Sequence, residues 1–232
     1  MAKPLSEEES FILKEEAMIM LNNYLNELQK SETEKPKSDK ISYWIKDWVR
    51  YQRNENDFKP EKIGKFKRGS VIKVNLGFNI GSEEGGLHYA IVLDKNNSMR
   101  NKVITIIPLT SVKDNKDINN LPNDQVYLGN EIINKLTDKQ KLLLSTLSDI
   151  DLANADENTM SNFDKDLRYA KRIQNELEKM KLGSIALVGQ ITTVSKMKIF
   201  DPKNRYGVLK NVRISNDSLD KIDEKIKENF FK

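Results

Sequence analysis

Cysteine is absent from this 232-residue sequence, and histidine occurs once, as His88. The first absence excludes disulfides and thiolate metal sites. The second leaves no HxxxH or HxH pair, and no clustered-acid pattern takes its place, so no metal or other cofactor is expected. No apolar run approaches the roughly 18 residues that would suggest a membrane span. The opening Met1–Ser6, followed by three glutamates, lacks the apolar core of a secretory leader, and a cytoplasmic location is the expectation. Glycine is scarce too, ten in all, which makes the four between Gly77 and Gly86 conspicuous.

Charged residues supply 32% of the chain and apolar ones 38%, an ordinary balance for a folded domain with a solvated surface. The net charge of +4 is unevenly spread. Residues 1–60 hold ten Lys/Arg against twelve Asp/Glu, leaving 39 − 10 = 29 basic and 35 − 12 = 23 acidic groups for the remainder. A slightly acidic N-terminal piece therefore precedes a basic body, a polarity that favours an anionic partner for the body.

Ser6 and Glu9 form a capping-box pattern, and Leu13, Ala17, Met20, Tyr24, Leu25 and Leu28 recur at helical spacing, predicting a helix over 6–30. The polar stretch 31–40, with Pro36, reads as a linker. Ile41, Trp44, Ile45, Trp48 and Val49 then form one stripe of a second helix. From Phe66 the pattern changes. Strands are expected at 71–76, 89–93 and 103–109, with a short one at 126–128. Helices follow at about 131–147 and 156–182, the latter closed by Gly183. Strand character returns at 184–188 and 190–194, and a helix over about 217–230 ends the chain.

The segment 76–88 is a shaped loop, because glycine permits positive φ and close approach of backbone groups. Leu87 stands where a Walker loop requires lysine, and the loop opens a strand rather than a helix, so neither a P-loop nor a dinucleotide fingerprint fits. His88, at the end of this loop, is the one side chain whose ordinary pKa lies near neutrality.

Three blocks together carry a resemblance: Lys67–Leu76, Gly81–Gly86, and Ile106–Ser111 with its Ile-Ile-Pro-Leu-Thr-Ser run. A later block, Val188–Lys196, resembles the last core strands of the same family. The sequence resembles the MazF/PemK family of type II toxin–antitoxin toxins over residues 66–112 and 184–200. The resemblance implies an α+β fold with an SH3-like small β-barrel. The N-terminal helical hairpin (1–60) and inserted helices (about 131–182) would be additions to a barrel domain spanning 61–232, with a C-terminal helix. It further implies a homodimer, a cognate antitoxin protein, and cleavage of single-stranded RNA without metal. Thr110 matches the family threonine that flanks the scissile phosphate. The family's catalytic arginine falls on His88, and a second arginine falls on Thr192.

The candidate catalytic residues are thus His88, Thr110 and Glu83. Gly81, Ser82, Glu84, Gly85, Gly86, Ser111, Gln190 and Thr192 are the candidate substrate-binding residues. Replacement of two arginines also permits an alternative, a non-catalytic barrel that binds RNA or protein in a regulatory role.

Overall fold

The computed structural model describes residues 4–113, 117–180 and 182–231. The opening residues Met1–Lys3 and position 181 of the predicted 156–182 helix lie outside the described residues. The chain divides into two compact units, Met1–Asp57 and Phe58–Lys232.

The first unit is a helical hairpin. Helix α1 (Glu7–Gln29) starts at Ser6, whose Oγ accepts from the Glu9 amide at 3.2 Å while the Ser6 amide donates to Glu9 Oε2 at 2.7 Å. That is the reciprocal cap expected from the sequence. Helix α2 (Lys35–Asn54) begins earlier than expected and takes in Pro36. Proline is tolerated in the first turn, where its missing N–H would have had no helical partner. Leu28 and Ile41 are buried, and Ser38 Oγ donates to Leu25 O across the hairpin at 3.3 Å.

The second unit is built on one antiparallel sheet of seven strands: β1 (Val71–Asn75), β2 (Leu87–Val92), β3 (Val103–Ser111), β4 (Gln125–Gly129), β5 (Ser184–Leu187), β6 (Thr192–Ser195) and β7 (Ile199–Asp201). The spatial order is β4-β5-β3-β2-β1-β7, and β6 pairs with β3. β5 and β6 lie along β3, pairing Thr110 with Ile185 and Ile104 with Val194, with a 3-10 turn (Val188–Gln190) between them. The late strands thus join the first three in one sheet. Among the described residues the sheet is not hydrogen-bonded into a closed barrel, which corrects the simplest form of the barrel expectation. β6 and β7 are connected instead by a 3-10 turn, Lys196–Lys198, before β7 pairs with β1.

The centres of β1, β2 and β3 are mostly apolar because the sheet is covered on both faces there. Ile72, Val74, Ala90, Val92, Ile104 and Ile106 point into one cluster, completed by Phe66, Val194 and Ile199. Val71, Ile91, Ile107 and Leu109 point to the other, which the helices cover. Each fully buried isoleucine contributes about 1.5–3 kcal/mol relative to exposure. The covering helices are α3 (Glu131–Ser148), α4 (Glu157–Leu177) and α5 (Asn216–Phe230), which supply Ile132, Leu136, Tyr169, Ile173, Leu219 and Ile222. Asp156 caps α4, its Oδ1 accepting from the Thr159 amide at 2.7 Å.

Two boundaries differ from expectation in ways that matter. β2 begins at Leu87, so His88 sits within the ladder opposite Val74 rather than at the loop's end. β7 was missed because three residues, Ile-Phe-Asp, are too short to show an alternating pattern.

Candidate functional site

The loop from Leu76 to Gly86 connects β1 to β2 and is pinned at its base. The Leu76 amide donates to Gly86 O at 2.8 Å, and the Gly86 amide to Gly77 O at 2.5 Å. Gly86 has φ +84°, a conformation L side chains rarely adopt. At Gly85 the constraint is space: a Cβ would lie 2.9 Å from Gly77 O. Farther along, Asn79 Nδ2 donates to Glu84 O at 2.7 Å.

Gln190, in the 3-10 turn between β5 and β6, grips this loop with both ends of its amide. Its Oε1 accepts from the Glu84 N–H at 2.7 Å and its Nε2 donates to Ser82 O at 3.2 Å. The loop therefore has a fixed shape, held by a side chain more than a hundred residues away in the chain. Gln190 was read from the sequence as a substrate contact; here its amide is engaged with the loop.

The Glu84 carboxylate lies 3.3 Å from His88 Nε2, a contact that is an ion pair when the imidazole is protonated. Both side chains are about one-quarter exposed. His88 Nδ1 is 3.2 Å from Leu109 O. A carbonyl only accepts, so Nδ1 carries a proton and Nε2 is the nitrogen left for chemistry. Ala90 pairs with Pro108, and His88 and Thr110 each lie two residues along their strands from that pair. Thr110 is half-buried. His88, Ala90, Pro108 and Thr110 thus share one sheet face.

Next to this pair lies a groove of about 390 Å³, lined among others by Asn79, Glu83, Glu84, Gln190, Thr192 and Lys198. It opens over the rim of the sheet cluster that contains Leu76 and Val194. The structure brings Glu83, Glu84, Gln190 and Thr192 together on it, with His88 joined through Glu84. Gly81, Ser82 and Ser111 are exposed, and among the described residues they do not line it. Ser111 pairs instead with Ser184. Gly85 and Gly86 shape the loop from behind. Glu84, assigned to substrate from the sequence, is the carboxylate in contact with His88; Glu83, assigned to catalysis, faces the groove.

Lys198 was missed. Burial lowers its pKa from the usual lysine range. It lies in the turn joining β6 to β7, and a lysine three residues beyond a strand gave no pattern that would single it out. Among the described residues no group of three or more His, Asp or Glu side chains is arranged to hold a metal ion.

The opposite face of β1 and β2 carries a second polar cluster, beneath α4. Glu176 Oε1 accepts from Lys73 Nζ and from the Tyr89 hydroxyl. Burial opposes the Glu176 charge, but these hydrogen bonds and the charges of Lys73 and Lys179 outweigh it and lower the pKa. Burial, then the bond to Glu176, raises the Tyr89 pKa. Asp201 accepts from the Val208 and Leu209 amides at 3.0 and 2.7 Å, yet burial still raises its pKa. Lys139 donates to Val208 O and Lys210 O at 2.9 and 2.7 Å, and burial lowers its pKa to about 8.

Residues 67–166 match the family described as PemK-like, MazF-like toxin of type II toxin-antitoxin system. Over this stretch the chain is similar to the MazF/PemK family. The MazF/PemK match begins just before β1, contains the glycine loop, His88 and Thr110, and runs through α3 into α4. It therefore takes in part of the helical segment that the sequence blocks left outside the resemblance. It stops before β5, so Gln190, Thr192 and Lys198 lie beyond the match. Comparison with curated proteins gave no significant match. No helix among the described residues is long and apolar enough to cross a membrane.

Proposed function

We propose that the protein is an endoribonuclease that cleaves single-stranded RNA through the Glu84–His88 pair, with the substrate lying in the adjoining groove. The observation that carries this reading is the 3.3 Å contact between the Glu84 carboxylate and His88 Nε2, within a toxin-family segment. RNA cleavage by its own 2′-hydroxyl needs a base, an acid and stabilisation of phosphorane charge. An ion-paired carboxylate and imidazolium supply the first two at once. The 2′-oxygen forms a bond to phosphorus and its proton passes to Glu84. The bond to the 5′-oxygen breaks, and that oxygen takes the proton from His88 Nε2. A 2′,3′-cyclic phosphate and a 5′-hydroxyl result, and proton exchange between Glu84 and His88 restores the pair.

Lys198 and the Thr110 hydroxyl would then serve the phosphate oxygens. A lysine replaces, as a point charge, the planar guanidinium expected from the family. Thr192 and Glu83 are assigned to the flanking nucleotides, and the exposed loop tip Gly81–Ser82 to contacts outside the cut site. Ser111 extends the same edge. We further propose that the open sheet, with its 3-10 connection to β7, is a variant of the family's SH3-like barrel. A homodimer and a cognate antitoxin follow from the same family reading.

The test is incubation of the full chain with a long single-stranded RNA in EDTA. Cleavage to cyclic-phosphate ends is expected, with a loss of about 10²- to 10⁴-fold in Glu84→Gln and His88→Asn. Cleavage that persists in both variants would exclude the pair as the acid and base. Binding without cleavage by the wild type would instead favour a non-catalytic module.

A further inference from the structure

A second groove, of about 420 Å³, lies between α4 and the segment after β7, lined by Lys165, Arg168, Tyr169, Arg172, Asn204 and Tyr206. Three features separate it from an ordinary solvated helix face. First, the cations are in register. Lys165, Arg168 and Arg172 follow one another at i, i+3 and i+7, and so span roughly 10 Å along one side of the helix. Second, no described carboxylate forms an ion pair with any of the three. Third, Tyr206, from a distant part of the chain, and Tyr169, on α4 itself, lie beside them. Tyr206 packs edge-on against Tyr169 with centroids 6.0 Å apart, and the Arg172 guanidinium lies 5.5 Å from the Tyr169 ring.

The groove is also braced. Arg172 donates to Tyr206 O, and Tyr169 donates its hydroxyl proton to Gly207 O at 3.0 Å. Asn204 Oδ1 accepts from the Tyr206 amide at 2.9 Å, shaping the 204–206 turn. That turn presents two more cations against rings: Arg205 lies 4.8 Å from the Tyr206 centroid and Lys203 lies 6.0 Å from that of Phe200. Phe200 itself is 59% exposed. Cations that no described carboxylate pairs, beside the partly exposed Tyr206 ring and the exposed Phe200 ring, suit a single-stranded nucleic acid, phosphates on the cations and bases on the rings.

We propose that this groove is a second RNA-binding surface, remote from the cleavage site. It deepens the endoribonuclease reading and rests on it for the identity of the strand. Lys73 and Tyr89, which contact α4 through Glu176, project from β1 and β2 on the face opposite His88. A strand bound here therefore does not occupy the catalytic groove. The surface retains a long RNA rather than positioning the bond to be cut.

The experiment uses the full chain and a fluorescent 2′-O-methyl oligoribonucleotide of mixed sequence, which lacks the attacking hydroxyl. The variant Lys165→Gln/Arg168→Gln alters two exposed side chains that brace nothing; Lys165→Arg/Arg168→Lys keeps the charge. Affinity should fall about tenfold or more in the first and be largely kept in the second. The slope of log affinity against log salt should shrink by about 1.4, corresponding to two phosphate contacts. Cleavage of a short RNA should be unchanged in both, while cleavage of a long one at low concentration falls in the Gln variant. Unaltered affinity and salt slope would overturn the proposal even if the protein cleaves RNA. Loss of binding in a protein that cleaves nothing would sustain this surface and defeat the catalytic reading. Weakened binding of polyglutamate with RNA binding untouched would reassign the groove to an acidic protein.

Discussion

Gln190 holds Glu84 in place through the backbone rather than the side chain: its Oε1 takes the Glu84 amide proton at 2.7 Å, leaving the carboxylate free to meet His88. The same amide group reaches Ser82 O through Nε2 at 3.2 Å, so one residue fixes two points of the loop. Position of the carboxylate is thereby tied to the 3-10 turn after β5, although the loop itself belongs to the β1–β2 hairpin.

The two bonds of Gln190 can be separated by substitution. Gln190→Glu keeps an acceptor for the Glu84 amide but loses the donor to Ser82 and adds a negative charge beside Glu84. Gln190→Ala loses both bonds. Cleavage should fall about tenfold or more in each, because a misplaced general base costs rate without any change in its identity. Amide hydrogen exchange across 82–86 should quicken in Gln190→Ala. Unchanged exchange and unchanged cleavage would show that the loop keeps its shape without the clamp.

Adjacent glycines in the loop should respond differently to alanine. At Gly86 nothing lies within 4 Å of a Cβ, so the cost is the positive φ alone, about 1–2 kcal/mol. At Gly85 a Cβ would meet Gly77 O at 2.9 Å, so the backbone must move. Gly85→Ala is expected to disturb the bond from the Gly86 amide to Gly77 O and lower activity beyond its effect on stability. Thermal melts paired with cleavage rates distinguish the two. Equal losses of activity at equal stability would contradict the assignment.

Lys139 gives the stability a pH dependence on the alkaline side. Its folded pKa is about 8, below the ordinary lysine value of 10.5, because burial penalises the ammonium. Between these values the unfolded chain binds more protons than the folded one, so stability from this group rises as pH climbs from about 8 to 10.5. Below pH 8 the residue is protonated in both states and the penalty is constant. Denaturant melts of wild type and Lys139→Met across this range should converge or diverge accordingly, the wild type gaining relative to the variant as pH rises. A difference independent of pH would mean that the bonds to Val208 O and Lys210 O fully compensate the burial.

Much of the architecture was legible in the sequence because it follows from local rules. Ser6 and Glu9 announced the start of α1, since a capping box needs only residues three apart. The apolar stretches within β1, β2 and β3 announced core strands, because their central positions are buried on both faces of the sheet. The blocks around Lys67–Leu76, Gly81–Gly86 and Ile106–Ser111 resembled the MazF/PemK family, and residues 67–166 match it. The same sequence pointed to the glycine loop and to His88 as the place to look.

Which residues meet there was decided by the tertiary structure. Glu83 and Glu84 are neighbours with the same side chain, and nothing local separates them. The Gln190 clamp holds the backbone at Glu84, and of the two carboxylates that line the groove Glu84 is the one in contact with His88. Lys198 and the pairing of α4 cations with Tyr206 depend equally on contacts between distant segments, which no periodicity encodes. Composition, caps and strand patterns act over a few residues and can be read in order along the chain. Glu84 and Lys198 come to line one groove only because the sheet brings together segments far apart in the chain.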